Sequence, residues 1–161
     1  MIKITLPDGS VKEFEKGSDS ITVAKSISEG LARNVISANF NGQVVETTKP
    51  LNEDGHLVLY TFNNDEGKKA FWHSSAHVLA QTILHFYPNA KLTIGPAIEN
   101  GFYYDVDFGD DVISENDFQK IEKKFLEFAR EKNEFIMRSV SKADALSFYK
   151  KDNNPYKVEL I

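Results

Sequence analysis

The polar run Asn63-Asn64-Asp65-Glu66-Gly67 holds no apolar anchor and separates two unlike hydrophobic patterns, so it constrains the fold more than any other stretch. Before it, apolar residues recur at every second position in short segments. After it they recur at helical spacing as far as about Tyr87, where Pro88 has no amide to continue the ladder. Two domains are therefore expected, one over residues 1–64 and one over residues 65–161.

In the first domain, Ile2 to Leu6 alternate apolar and polar, Pro7-Asp8-Gly9 is a turn signal, and Val11 to Glu15 resume the alternation. That pattern predicts a β-hairpin. Ser20 can cap a short helix carrying Ile21, Ala24, Ile27 and Leu31 on one face, with Gly30 as its stop. Strands return at Val35 to Phe40, at Gln43 to Val45 after the Asn41-Gly42 turn, and at Leu57 to Phe62. Hairpin, helix and further strands in that order fit a β-grasp, ubiquitin-like module, although other small α+β folds satisfy the same periodicity.

The second domain opens with the long helix. Ser114 to Asp117 form a capping-box pattern for another, with Phe118, Ile121, Phe125, Phe128 and Ala129 as a core-facing stripe. Between these helices, Leu92 to Ile98 and Phe102 to Phe108 are strand-like, joined through Glu99-Asn100-Gly101. Alternation sends Tyr104 to the face opposite Tyr103, Asp105 and Asp107. Phe135 to Val140 reads as a strand, Ser141 to Asp144 cap a helix to about Lys150, and Pro155 releases a last strand from Tyr156 to Ile161. The whole is an α+β protein: a β-grasp domain followed by a histidine-bearing helix on an antiparallel sheet. An apolar Leu160-Ile161 ending without turn or polar tail leads us to expect a piece of a longer protein.

With 161 residues, 41% of them hydrophobic, the chain can bury one good core or two small ones. No stretch resembles a signal peptide or membrane span, so a soluble, cytoplasmic protein without membrane partners is expected. There is no cysteine and hence no disulfide framework. A net charge of −5 argues against a surface dominated by nucleic-acid binding, but leaves room for one locally basic cleft.

His73 and His77, four residues apart in Phe71-Trp72-His73-Ser74-Ser75-Ala76-His77, share one helical face. Trp72, Ala76, Leu79, Ala80, Ile83 and Tyr87 form an apolar stripe; the two histidines and Leu84 fall along its edge, and His85 lies opposite. A single histidine there is an ordinary packing residue, whereas a pair can hold a metal or flank one reacting group. Metal is the weaker option. The glutamate of the H-E-x-x-H pattern is missing, and the only further ligands, His56, His85, Asp105 and Asp107, have no diagnostic spacing. No metal site is expected.

Read with Thr93-Ile94-Gly95-Pro96-Ala97-Ile98-Glu99-Asn100-Gly101-Phe102-Tyr103-Tyr104-Asp105, the histidine pair closely resembles the bacterial threonyl-tRNA synthetases. The first sixty-odd residues look like the TGS domain of that family. The rest looks like the start of its editing domain, with Asn154-Pro155-Tyr156-Lys157-Val158 as a further motif. The resemblance implies a parent enzyme that joins threonine to its tRNA with ATP, and a second domain that hydrolyses serine wrongly attached there. It implies His73 beside the terminal ribose, His77 on the same wall, and Lys157 stabilising charge or positioning water. Tyr104 would then lie near the seryl group, and Gly95 would be a close backbone approach. The family's pocket is completed by a Cys-x-x-x-His element and an acidic residue, and no cysteine occurs here. Little or no deacylation by the chain alone is therefore expected. ATP and zinc belong to a catalytic domain of the parent, none is expected in this piece, and the partner is the tRNA(Thr) 3′ end carrying a seryl ester. The parent is expected to be a homodimer and this piece a monomer. Competing readings are a protein- or RNA-binding module without catalysis, a metal-dependent hydrolase using His73 and His77, and a freestanding editing protein.

Overall fold

Alternating apolar residues put Ile2, Ile4 and Leu6 on one face of β1 (Ile2–Thr5), and all three are buried. In the computed structural model, which describes residues 1–161 apart from Met137, β1 pairs antiparallel with β2 (Val11–Phe14) across the expected turn. The chain then forms α1 (Ser20–Ile27), α2 (Glu29–Asn34), β3 (Val35–Phe40), β4 (Gln43–Val45) and β5 (Gly55–Thr61). The strands make one sheet in the order β2-β1-β5-β3-β4, with β1 and β5 parallel and every other neighbour antiparallel. This is the β-grasp arrangement. Val23 of α1 packs with Ile4, Ala38, Leu51 and Leu57 in the core.

Two details of the helical segment differ from expectation. Asp19, not Ser20, caps α1, its carboxylate accepting the Thr22 amide at 2.8 Å. Gly30 does not stop the helix, because Ser28 breaks it first and restarts α2, accepting the Leu31 amide at 3.0 Å. The buried face of α1 is Ser20, Val23 and Ala24, and Ile27 is exposed.

The long helix is α3 (Asp65–Phe86). The chain divides into two compact units, Met1–Phe71 and Trp72–Ile161, and the division lies within α3. In the first unit, Gly67 is buried so closely against Thr61 that a Cβ there would sit 1.9 Å from the Thr61 carbonyl oxygen.

In the second unit, Ala76, Ala80, Ile83 and Tyr87 are buried as the stripe predicts, joined by Thr82, whose hydroxyl donates to the Val78 carbonyl at 2.8 Å. One long hairpin follows, in two paired stretches: β6 (Lys91–Leu92) with β9 (Val106–Asp107), and β7 (Ala97–Ile98) with β8 (Gly101–Phe102). Between them the register is carried by the Thr93 amide on the Asp105 carbonyl and the Asp105 amide on the Ile94 carbonyl, at 3.0 and 2.9 Å. Gly101 turns the tip at φ 149°, open to glycine alone among common residues.

The capping box at Ser114 forms and starts α4 (Glu115–Arg130). Lys120 bridges Asp117 at 2.6 Å, and with Ser114 it holds the Asp117 carboxyl down to about 2. Ile121 of α4 joins Ile83, Tyr87 and Ala90 in the second core. Phe118, read as part of that core, is instead 52% exposed. The expected strand from Phe135 to Val140 is absent at the described residues, where nothing pairs with them; Met137 lies outside the described residues. After α5 (Lys142–Lys151), capped by Ser141 as predicted, the last element is also not a strand. Residues Pro155–Leu160 form α6, because Asn154 is an N-cap and Pro155 occupies the first helical turn, where its missing amide costs nothing. Among the described residues, no helix is long and apolar enough to cross a membrane.

Candidate functional site

Helical spacing brings the two imidazoles together at the surface of the second unit. His77 Nε2 and His73 Nε2 are 3.0 Å apart, with the rings edge to face at 4.6 Å between centroids. A hydrogen bond between two Nε2 atoms requires opposite tautomers: the donor ring carries its proton on Nε2, and the acceptor ring carries its own on Nδ1. The neutral pair therefore offers one free Nδ1 lone pair and one Nδ1–H, an acceptor and a donor. Phe135 stands 6.1 Å from the His77 ring.

Burial, then the His73 ring, then the Lys157 ammonium push the His77 pKa below the ordinary 6.5. Lys157 is thus within electrostatic reach of the pair. Its own pKa is lowered by burial, so its proton is held less tightly than on a surface lysine. It sits on α6, not on the strand expected from sequence. Asn154 places it: the Lys157 amide donates to Asn154 Oδ1 at 3.1 Å, and Asn154 Nδ2 donates to the Leu92 carbonyl at 3.1 Å. Tyr156 adds a second tie, its hydroxyl donating to Asp107 Oδ2 at 2.6 Å.

Tyr104 is half-buried while Tyr103 is exposed, as alternation requires. Burial and the neighbouring Tyr149 raise the Tyr104 pKa above 10.0, so it remains a phenol, able to donate, at neutral pH. Gly95 and Tyr104 are one feature: a Cβ on Gly95 would meet Tyr104 Cδ2 at 2.3 Å and Cε2 at 2.6 Å. The space that the sequence reading left for an approaching ligand is filled by the tyrosine ring. A cavity of about 540 Å³ lies on this ring, walled by Leu79, Ile83, Asp105, Val106 and Phe118.

Two of the remaining candidates are engaged elsewhere in the second unit. His85 packs on Phe86 and Phe128, at 4.9 and 5.7 Å between centroids. Asp107 is engaged by Tyr156 and by the Gly109 amide. Among the described residues, no group of three or more His, Cys, Asp or Glu side chains is placed to hold a metal ion. Sequence reasoning missed Asn154 as an anchor, although an asparagine directly before a proline is a helix-start signal.

Residues 2–61 match the model of the TGS domain. Over all 161 residues the chain is 65% identical to the threonine--tRNA ligase of Flavobacterium psychrophilum, covering 24% of that protein. It is 63% identical to that of Flavobacterium johnsoniae, covering 24%, and 53% identical to that of Cytophaga hutchinsonii, covering 25%. The chain thus spans about a quarter of the length of the curated relatives it matches. The TGS match falls on the β-grasp sheet, and the similarity to the threonine--tRNA ligases runs on through the unit that carries the histidine pair.

Proposed function

We propose that this chain is part of a cytoplasmic threonine--tRNA ligase, and that its second unit carries a hydrolytic site for serine esterified to tRNA(Thr). The observation that carries the reading is the bonded imidazole pair, with the Lys157 cation near enough to lower the His77 pKa, within a sequence similar throughout to threonine--tRNA ligases. Serine differs from threonine by one methyl, which a binding pocket distinguishes by roughly 1–3 kcal/mol, or about 10- to 200-fold. A ligase acting on threonine needs a second sieve.

Hydrolysis asks for three things that these side chains can supply. The free Nδ1 of the pair accepts a proton from water as its oxygen attacks the ester carbonyl. Lys157 stabilises the negative charge on the carbonyl oxygen, and the proton returns to the departing ribose oxygen, releasing serine and intact tRNA. Tyr104 offers a phenolic donor to the seryl hydroxyl. The ATP and zinc of the parent belong to its aminoacylating domain, and no step here uses either. The partner is the tRNA(Thr) 3′ end, the parent acts as a homodimer, and the present chain is a monomer with little deacylase activity of its own. The test is deacylation of Ser-tRNA(Thr) by the full-length enzyme: His73→Ala and Lys157→Ala should each lower the rate by about 100-fold or more. Undiminished rates would overturn the reading.

A further inference from the structure

Asn154 is 5% exposed, the most buried polar side chain of its segment, and it uses both ends of its amide. Oδ1 accepts the Lys157 amide at 3.1 Å, closing the first turn of α6. Nδ2 reaches across 62 residues of sequence to the Leu92 carbonyl at 3.1 Å, on the strand that leads through Thr93 and Ile94 to Gly95. Its own amide donates to the Tyr149 carbonyl at 3.0 Å, fixing the end of α5 as well. The amide accepts from the helix at one atom and donates to the strand from another, so the two bonds can point in different directions. A serine or threonine can cap the helix but carries no second arm.

We propose that Asn154 is the positioning residue of the site, its buried amide fixing the helical turn that bears Lys157 to the hairpin strand that bears Gly95. The inference rests on the reading of Lys157 as a member of that site. Asn154 touches no reacting group. Its effect is to fix the backbone from which the Lys157 side chain starts, and so the place from which its ammonium acts on His77. Tyr156 cannot replace it, because its bond to Asp107 is made at an exposed hydroxyl on the following residue but one.

The readout is the titration of the His77 imidazole, followed by NMR on the isotopically labelled full chain. Burial lowers the pKa of that ring most, followed by the neighbouring His73 and then the Lys157 cation. Lys157→Gln removes the cation and should shift the His77 pKa upward. Asn154→Ser retains a capping hydroxyl and loses the arm to Leu92; it should shift the His77 pKa in the same direction, and adding Lys157→Gln to it should produce little further change. Tyr156→Phe should leave the titration where it is. If Lys157→Gln moves the pKa and Asn154→Ser does not, the positioning role is wrong while the site stands. If neither moves it, Lys157 is not beside the pair, and both the site reading and this inference fall. Should Asn154→Ser unfold the second unit, Asn154→Thr decides on the same criterion, and unfolding of both counts against a local tether.

Discussion

Replacing Gly95 by alanine tests whether the Tyr104 ring fills the space beside the hairpin backbone. The added methyl would lie 2.3, 2.6 and 3.1 Å from Tyr104 Cδ2, Cε2 and Cγ, too close for contact without movement of the ring or strand. Overpacking of this kind costs about 1–3 kcal/mol. Gly95 does not adopt a left-handed φ, so alanine meets no backbone strain there. With the ring removed by Tyr104→Ala, Gly95→Ala should change sign, stabilising by about 0.4–1 kcal/mol through lost freedom of the unfolded chain. The entropy gain is common to both backgrounds and cancels, so the coupling between the two substitutions is the overpacking cost, about 1–3 kcal/mol, above the scatter of independent sites. Trp72 is the only tryptophan and belongs to the second unit, packed 6.4 Å from Phe102, so its fluorescence during urea unfolding reports that unit. Equal effects of Gly95→Ala with and without the Tyr104 ring would refute the packing.

Three further outcomes follow from the same geometry. Because the folded pKa of His77 is depressed, the unfolded chain binds the proton more readily, and stability of the second unit should fall as pH drops below about 6.5, the ordinary histidine value; His77→Gln should remove that part of the pH dependence in urea titrations across pH 7 to 5. Tyr156→Phe should let the Asp107 pKa rise toward 3.8, since the tyrosine hydroxyl is the largest influence lowering it, and carboxyl NMR titration reads this directly. Ile4→Ala should cost the first unit about 2–5 kcal/mol, because Ile4 is fully buried in its core, and denaturation followed by tyrosine or amide signals of that unit checks it.

The β-grasp strands were legible because each has one buried face and its turns carry Gly or Asn at the required positions. Asn41 and Gly42, for example, take φ 51° and 85° in the turn between β3 and β4. The long helix was equally plain from its stripe and Pro88. The end of the chain was not. Tyr156, Val158 and Leu160 alternate like a strand, and that pattern outweighed the Asn154-Pro155 helix start, which the structure shows to be decisive. Residues 135–140 have strand-like composition, but strand formation needs a pairing edge, and local sequence says nothing about where one is. Phe118 lies on the right stripe of α4, yet at the helix start it lines a cavity and stays half exposed. The histidine spacing was readable, whereas the direct Nε2 contact depends on side-chain rotamers. The partnership of Gly95 with Tyr104 depends on a close approach nine residues apart across a hairpin.

His73 and His77, bonded on one helix and under the influence of the Lys157 charge, are proposed to act on a seryl ester. Single-turnover deacylation of Ser-tRNA(Thr) by the full-length enzyme carrying His73→Ala, with aminoacylation by the same preparation measured alongside, tests it most directly. The account predicts deacylation reduced by about 100-fold or more with threonylation unchanged; wild-type deacylation in that variant would contradict it.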